Sequence, residues 1–174
     1  MKKLILLPIM ALFLPSCTAV KFEDPQPFAA PSLAEFPDKM CGTYVSNNED
    51  TLFIEPGSFR YARGIETGIT GDLNTPKTVL KKVNRTYILN LHDQDTWSVF
   101  PLKASKNKIV THCANITSES EQLIFDVHKS SPVKEITTED GKFAYFLLAP
   151  TNKEFRQLLR KKLFSEKMVF KRLE

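Results

Sequence analysis

Between residues 40 and 116, apolar and polar positions alternate with a period close to two. That is the pattern of short strands with one buried face. Met40–Val45 (MCGTYV), Thr51–Glu55 (TLFIE) and Ser58–Ala62 (SFRYA) predict three strands, broken by the polar cluster Ser46–Asp50 and by Pro56-Gly57. Residues 64–76 hold three of the six glycines and predict a long polar connection with a short extended piece around Ile69. Lys77–Val83 and Thr86–Leu91 flank Asn84-Arg85, a two-residue hairpin signal. Thr96–Ala104 and Lys108–Ile116 follow, separated by Ser105–Asn107. Pro101 lies inside the first of these and predicts an edge position or a bulge.

Beyond residue 117 the period changes. Ser118-Glu-Ser-Glu121 has the form of a capping box, and Leu123, Ile124 and Val127 follow at helical spacing. A strand over Ile124–His128 is the alternative. Residues 130–142 read as a polar loop. Phe143–Ala149 is apolar on both faces and predicts a central strand. Thr151 and Glu154 form a second capping box, with Phe155, Leu158, Leu159 and Leu163 as the apolar stripe of a helix. Arg156, Arg160, Lys161 and Lys162 occupy its wet face, and Lys167–Leu173 predicts a closing strand. The fold class implied is α+β and mainly antiparallel β. A meander forms a partial barrel or sandwich, with one short helix and a C-terminal strand–helix–strand.

The N-terminus has another pattern. Lys2 and Lys3 precede the apolar run Leu4–Leu14, which is too short to span ~30 Å of hydrocarbon. Positive charge, a short apolar run and a small residue indicate a secretory signal. Leu14-Pro-Ser-Cys17 resembles the bacterial lipobox. That resemblance implies cleavage before Cys17, a thioether-linked lipid on its sulfur and an acyl chain on the new amino group. It places the protein in a bacterial cell envelope, lipid-anchored, at the outer membrane. Residues 1–16 are then a lipoprotein signal peptide.

Residues 17–37 carry Pro25, Pro27, Pro31 and Pro37 and predict an extended tether able to reach ~60 Å from the bilayer at about 3.1 Å per residue. Three phenylalanines are unusual in a free tether. Phe36 is expected to dock on the edge of the domain. Phe22 and Phe28 either dock likewise or face lipid or a partner, and docking is favoured because exposed aromatics are costly. Residues 38–174 then form a single β-rich globular domain.

Removing 16 of the 174 residues leaves enough chain for one domain with a real core, and 42% hydrophobic and 25% charged residues are globular values. Loss of Lys2 and Lys3 takes the formal charge of +4 to about +2, which gives no basis for nucleic-acid binding. With Cys17 lipidated, Cys41 and Cys113 remain. They are a candidate disulfide in an oxidising compartment, or two buried thiols.

FEDPQP, FPDKMCGTY and DTLFI, with the terminal strand–helix–strand, resemble a group of small uncharacterised lipoproteins from Bacteroidota with a PQP tether and an FPxxxxGTY opening. The resemblance implies a lipid-anchored β-rich domain and no particular activity. The GTY opening also resembles that of lipocalin-like barrels.

Catalytic signals are weak. His92, His112 and His128 have no second His or Cys at metal-ligand spacing, and His92-Asp-Gln-Asp95 lacks the glycine and distal glutamate of a calcium loop. There is no Gly-x-Ser-x-Gly elbow, and residues 64–71 lack the Lys-Ser/Thr of a phosphate loop. The reading expects no enzyme, catalytic residue, metal or cofactor. It expects a non-catalytic binding or assembly module, bound to a lipid bilayer through Cys17 and to an envelope protein or small apolar ligand. A lipocalin-like carrier is the alternative.

Overall fold

The computed structural model describes residues 20–63, 68–114, 116, 121–161 and 163–173. Residues 1–19, with Cys17, and the capping-box positions 118–120 lie outside this set.

The chain enters directly on strand β1 (Val20–Phe22), then makes β2 (Ser32–Leu33) and a 3-10 turn at Asp38–Met40. Strands β3 (Gly42–Ser46), β4 (Thr51–Ile54), β5 (Ser58–Ala62) and β6 (Ile69–Asp72) follow. Next come β7 (Thr78–Val83), β8 (Thr86–Asp93), β9 (Thr96–Ser105) and β10 (Lys108–Cys113). Helix α1 (Glu121–His128), β11 (Val133–Thr137), β12 (Phe143–Leu148), α2 (Asn152–Arg160) and β13 (Glu166–Arg172) complete the described elements. The fold is mostly antiparallel β, a sheet curled into a half-barrel, as the alternation predicts. No helix among the described residues is long and apolar enough to cross a membrane.

The sheet runs β11-β12-β1-β9-β10-β13-β3-β4-β5-β6, and a branch β2-β7-β8 joins it through β8 and β9. Strand β9 is the fork. One edge pairs with β8 from Asp93↔Thr96 to Tyr87↔Leu102. Its other edge meets β1 at Trp97 and β10 from Leu102 to Ser105. Pro101, which has no N–H to give, falls between those two partners. It is therefore locally an edge residue inside a central strand, and its register with Ile88 is unbroken.

The fork buries both faces of β8 and β9. Side chains alternate across a strand, so Ile88 and Val99 enter one core while Tyr87, Leu89 and Leu102 enter another. The first core lies under the helices, with Phe22, Phe146 and Leu148 against Val127, Phe155, Leu158 and Leu163. The second fills the curl of the half-barrel, with Phe36, Met40, Tyr44, Leu52, Ile54 and Phe170. Helix α2 starts where predicted. Thr151 accepts from the Glu154 amide, and the Glu154 carboxylate accepts from the Thr151 amide at 2.8 Å. The predicted hairpin is also present, with Asn84 at φ 54 in the left-handed region that asparagine tolerates.

Two expectations are corrected. Residues 20–37 are not an extended tether, because β1 and β2 belong to the sheet and Phe22 and Phe36 to the two cores. Phe28 is the exception in that segment, at 60% exposure. The polar stretch 130–142 contains β11, an edge strand paired only with β12, whose Lys134 and Glu135 face water. The extended piece expected around Ile69 is present as strand β6, paired with β5 over four residues.

Candidate functional site

Two constructions stand out: a polar clamp that fixes the N-terminal segment, and an apolar cleft in the half-barrel. The clamp is built on β7 and β8. Asn90, fully buried, presents its side-chain amide to the backbone of Gln26 as a neighbouring strand would. Its Oδ1 accepts from the Gln26 amide at 2.7 Å, and its Nδ2 donates to the Gln26 carbonyl at 3.0 Å. Lys81 donates from Nζ to three carbonyls, those of Pro25 at 3.0 Å, Pro27 at 2.9 Å and Phe28 at 3.1 Å. Burial pushes the Lys81 pKa down, and Asp24 offsets part of that. Lys21 on β1 reaches Ser98 Oγ at 2.9 Å and Asp93 at 3.2 Å. A proline-rich segment has few amide donors and many carbonyls, so a lysine and an asparagine are suitable partners for it.

Arg172 ties the last strand to the GTY opening. Arg172 donates to the carbonyls of Cys41 at 2.8 Å and Lys39 at 2.9 Å, and its guanidinium lies 4.7 Å from the centre of the Tyr44 ring. A Cβ on Gly42 would stand 2.3 Å from Arg172 Nη1, and Gly42 has φ +140. The glycine and tyrosine of the GTY opening therefore both serve the Arg172 contact, which spans more than 120 residues of sequence.

The remaining interior forms an apolar cleft with a cavity of about 90 Å³. Ile54, Phe59 and Phe170 are buried along its walls. Tyr61, Leu91, Phe100, Met168 and the exposed Ile69 form its lip. Of the described residues that line it, only Tyr61 and Thr111 carry a side-chain polar atom. A cavity lined this way stays dry and attracts apolar groups. Its volume is well below the ~300–1,000 Å³ of an ordinary small-molecule pocket. Sequence reading found the strands that make the cleft but not the cleft, because its walls come from β4, β5, β6, β8, β9, β10 and β13 together.

The other sequence candidates are dispersed. His92 packs on Trp97 with centroids 4.7 Å apart, and His128 packs on Phe146 at 6.2 Å. His112 is half-buried on β10, its Nδ1 has no hydrogen-bond partner among the described residues, and burial lowers its pKa. Among the described residues no three His, Cys, Asp or Glu side chains gather to hold a metal. Cys41 and Cys113 are both thiols, and the candidate disulfide between them is corrected. Cys113 pairs with Glu166 at one end of β13, while Cys41 is held by Arg172 at the other. Six strand residues separate those ends, roughly 20 Å, against the ~7 Å limit for bridged Cα atoms. Burial also raises the pKa of the Cys41 thiol, with Asp38 adding to the effect.

Cys17, the lipidation candidate, lies outside the described residues. Comparison with known proteins finds no matching family model, no matching curated protein and no matching solved structure.

Proposed function

We propose that this chain is a lipid-anchored envelope lipoprotein whose half-barrel domain is a non-catalytic binding module, with the apolar cleft as its binding surface. The observation that carries the reading is the lining of that cleft. Walls whose polar side chains, among the described residues, are Tyr61 and Thr111 bind by burying apolar surface, and those described residues offer no carboxylate, imidazole or thiol for acid, base or nucleophilic work. A cavity of about 90 Å³ accepts a single small apolar group, such as one aliphatic side chain of an envelope protein.

The second reading, a carrier of a small apolar ligand, is supported by the same dryness. It requires the lip residues to move apart, because the present space is smaller than the ~150 Å³ that takes a benzene.

Two experiments separate the parts. Cys17→Ser is expected to move the protein out of the membrane fraction and abolish incorporation of labelled palmitate; persistence of either contradicts the anchor. For the cleft, xenon is expected to bind there at pressure, and Leu91→Arg, on the lip, is expected to remove that binding with the circular dichroism unchanged. Xenon binding indifferent to that substitution, or measurable turnover of an envelope substrate, overturns the reading.

A further inference from the structure

We infer that the end of the sheet carrying Phe143 is a membrane-contact face, seated at the headgroup–acyl boundary of the bilayer that holds the lipids of Cys17. The inference rests on the proposed acylation of Cys17 and extends it from an anchor point to an orientation.

The first argument is reach. Val20 is the third residue after Cys17, and a chain extends at most ~3.6 Å per residue, so the two are within about 11 Å whatever path the chain takes. Val20 is buried in the first core and hydrogen-bonded into the sheet through β12. The folded domain is therefore leashed against the bilayer, not suspended ~60 Å above it as a twenty-residue tether would allow.

The second argument is direction. Strand β12 is the parallel neighbour of β1, with Val20 beside Phe146. Moving back along β12 from Phe146 leads towards the side from which the chain enters β1. Three residues on, about 10 Å away, is Phe143 at the start of the strand. Phe143 is 48% exposed, with its ring 4.8 Å from that of Phe146. The Phe146 ring in turn meets His128 on α1, and Phe125, 61% exposed, lies one helical turn before His128. Phe143, one of five large apolar side chains exposed among the described residues, thus stands at the end of the sheet nearest the anchor. Aromatic side chains at that depth favour the membrane interface.

The third argument fixes the kind of contact. The hairpin tip beside Phe143 carries Glu139 and Asp140 against Lys142, and Asp140 is paired to Lys142 at 2.6 Å. The tip itself has no surplus of positive charge, so Phe143 seats by burying its ring.

The test uses the full chain, natively acylated and reconstituted into phosphatidylcholine vesicles, with intact mass recorded first. In Phe143→Trp, brominated phospholipids are expected to quench the indole emission well beyond the quenching of Trp97 alone in the unsubstituted protein. A mass lacking the acyl chains overturns both the anchor and this face. Chains present with no extra quenching overturns the face alone. In the Cys17→Ser background without vesicles, concentration-dependent shielding of that indole from acrylamide would assign the face to a second copy of the chain, also overturning the inference.

Discussion

Phe22→Ala tests whether the proline-rich N-terminal segment belongs to the folded domain. Phe22 is 0% exposed, meets the Phe155 ring edge-on at 6.1 Å and lies parallel to the Phe164 ring at 6.5 Å. A buried Phe→Ala change costs ~3–5 kcal/mol through lost transfer energy and the cavity left behind. Two aromatic pairs place this site towards the upper part of that range. Against a total stability of ~5–15 kcal/mol, the loss is about a fifth or more. It corresponds to a fall in Tm of about 6–20 °C for a domain of this size. The assay is urea and thermal unfolding of protein lacking the first seventeen residues, followed by circular dichroism. Phe28→Ala is the internal control, because that ring is 60% exposed and its removal should change stability by no more than ~0.5 kcal/mol. If the two variants behave alike and near wild type, the segment is a tether after all and the account of β1 is wrong.

Other expectations follow from the same contacts. Asn90→Ala leaves the buried amide and carbonyl of Gln26 without their partner, and should destabilise by ~1–3 kcal/mol for each group that stays dry; a change under ~0.5 kcal/mol would show that water replaces the side chain. His112 has a folded pKa below its ordinary value, so between that folded value and about 6.5 the unfolded chain binds more protons and stability rises with pH. Tm should fall as pH drops from 7 towards 5, with less slope in His112→Phe, and an unchanged slope refutes the assignment. Under denaturing, non-reducing conditions, iodoacetamide should modify both Cys41 and Cys113, and a species two hydrogens lighter and unmodified at both would restore the disulfide.

Much of the architecture was legible because it is local. The Asn84 hairpin, the Thr151–Glu154 capping box and the apolar run in β12 each lie within a few residues of chain and obey short-range rules. What was hidden depends on partners far away. Val20-Lys-Phe22 is only three residues of strand, and the four prolines after it dominate the composition of the segment. Its order comes from Phe146 to Leu148 and from Asn90 and Lys81, between 53 and 64 residues beyond the loop in the case of the clamp. Lys81-Lys82 reads in sequence as a solvated pair, yet alternation sends Lys81 inward and leaves Lys82 outside. Strand β11 was missed for the opposite reason: an edge strand with much of its surface in water shows little apolar periodicity.

The candidate site was legible only in part. The separation of Cys41 from Cys113 follows from the strand order of β10, β13 and β3, which no count of cysteines contains. The GTY opening was visible as a motif, but its physical reason, the passage of Arg172 over Gly42 and Tyr44, needed the last strand in place.

The integration of residues 20–26 into the sheet is tested most directly by amide hydrogen exchange in native conditions. The Glu23 amide donates to the Leu148 carbonyl at 3.0 Å and the Gln26 amide to Asn90 Oδ1 at 2.7 Å. Both should exchange only as slowly as the whole domain unfolds, together with the core strands β8 and β9. Exchange of these two amides within seconds, while β8 and β9 remain protected, would mean that the chain is loose up to residue 37 and that the domain hangs free of the membrane.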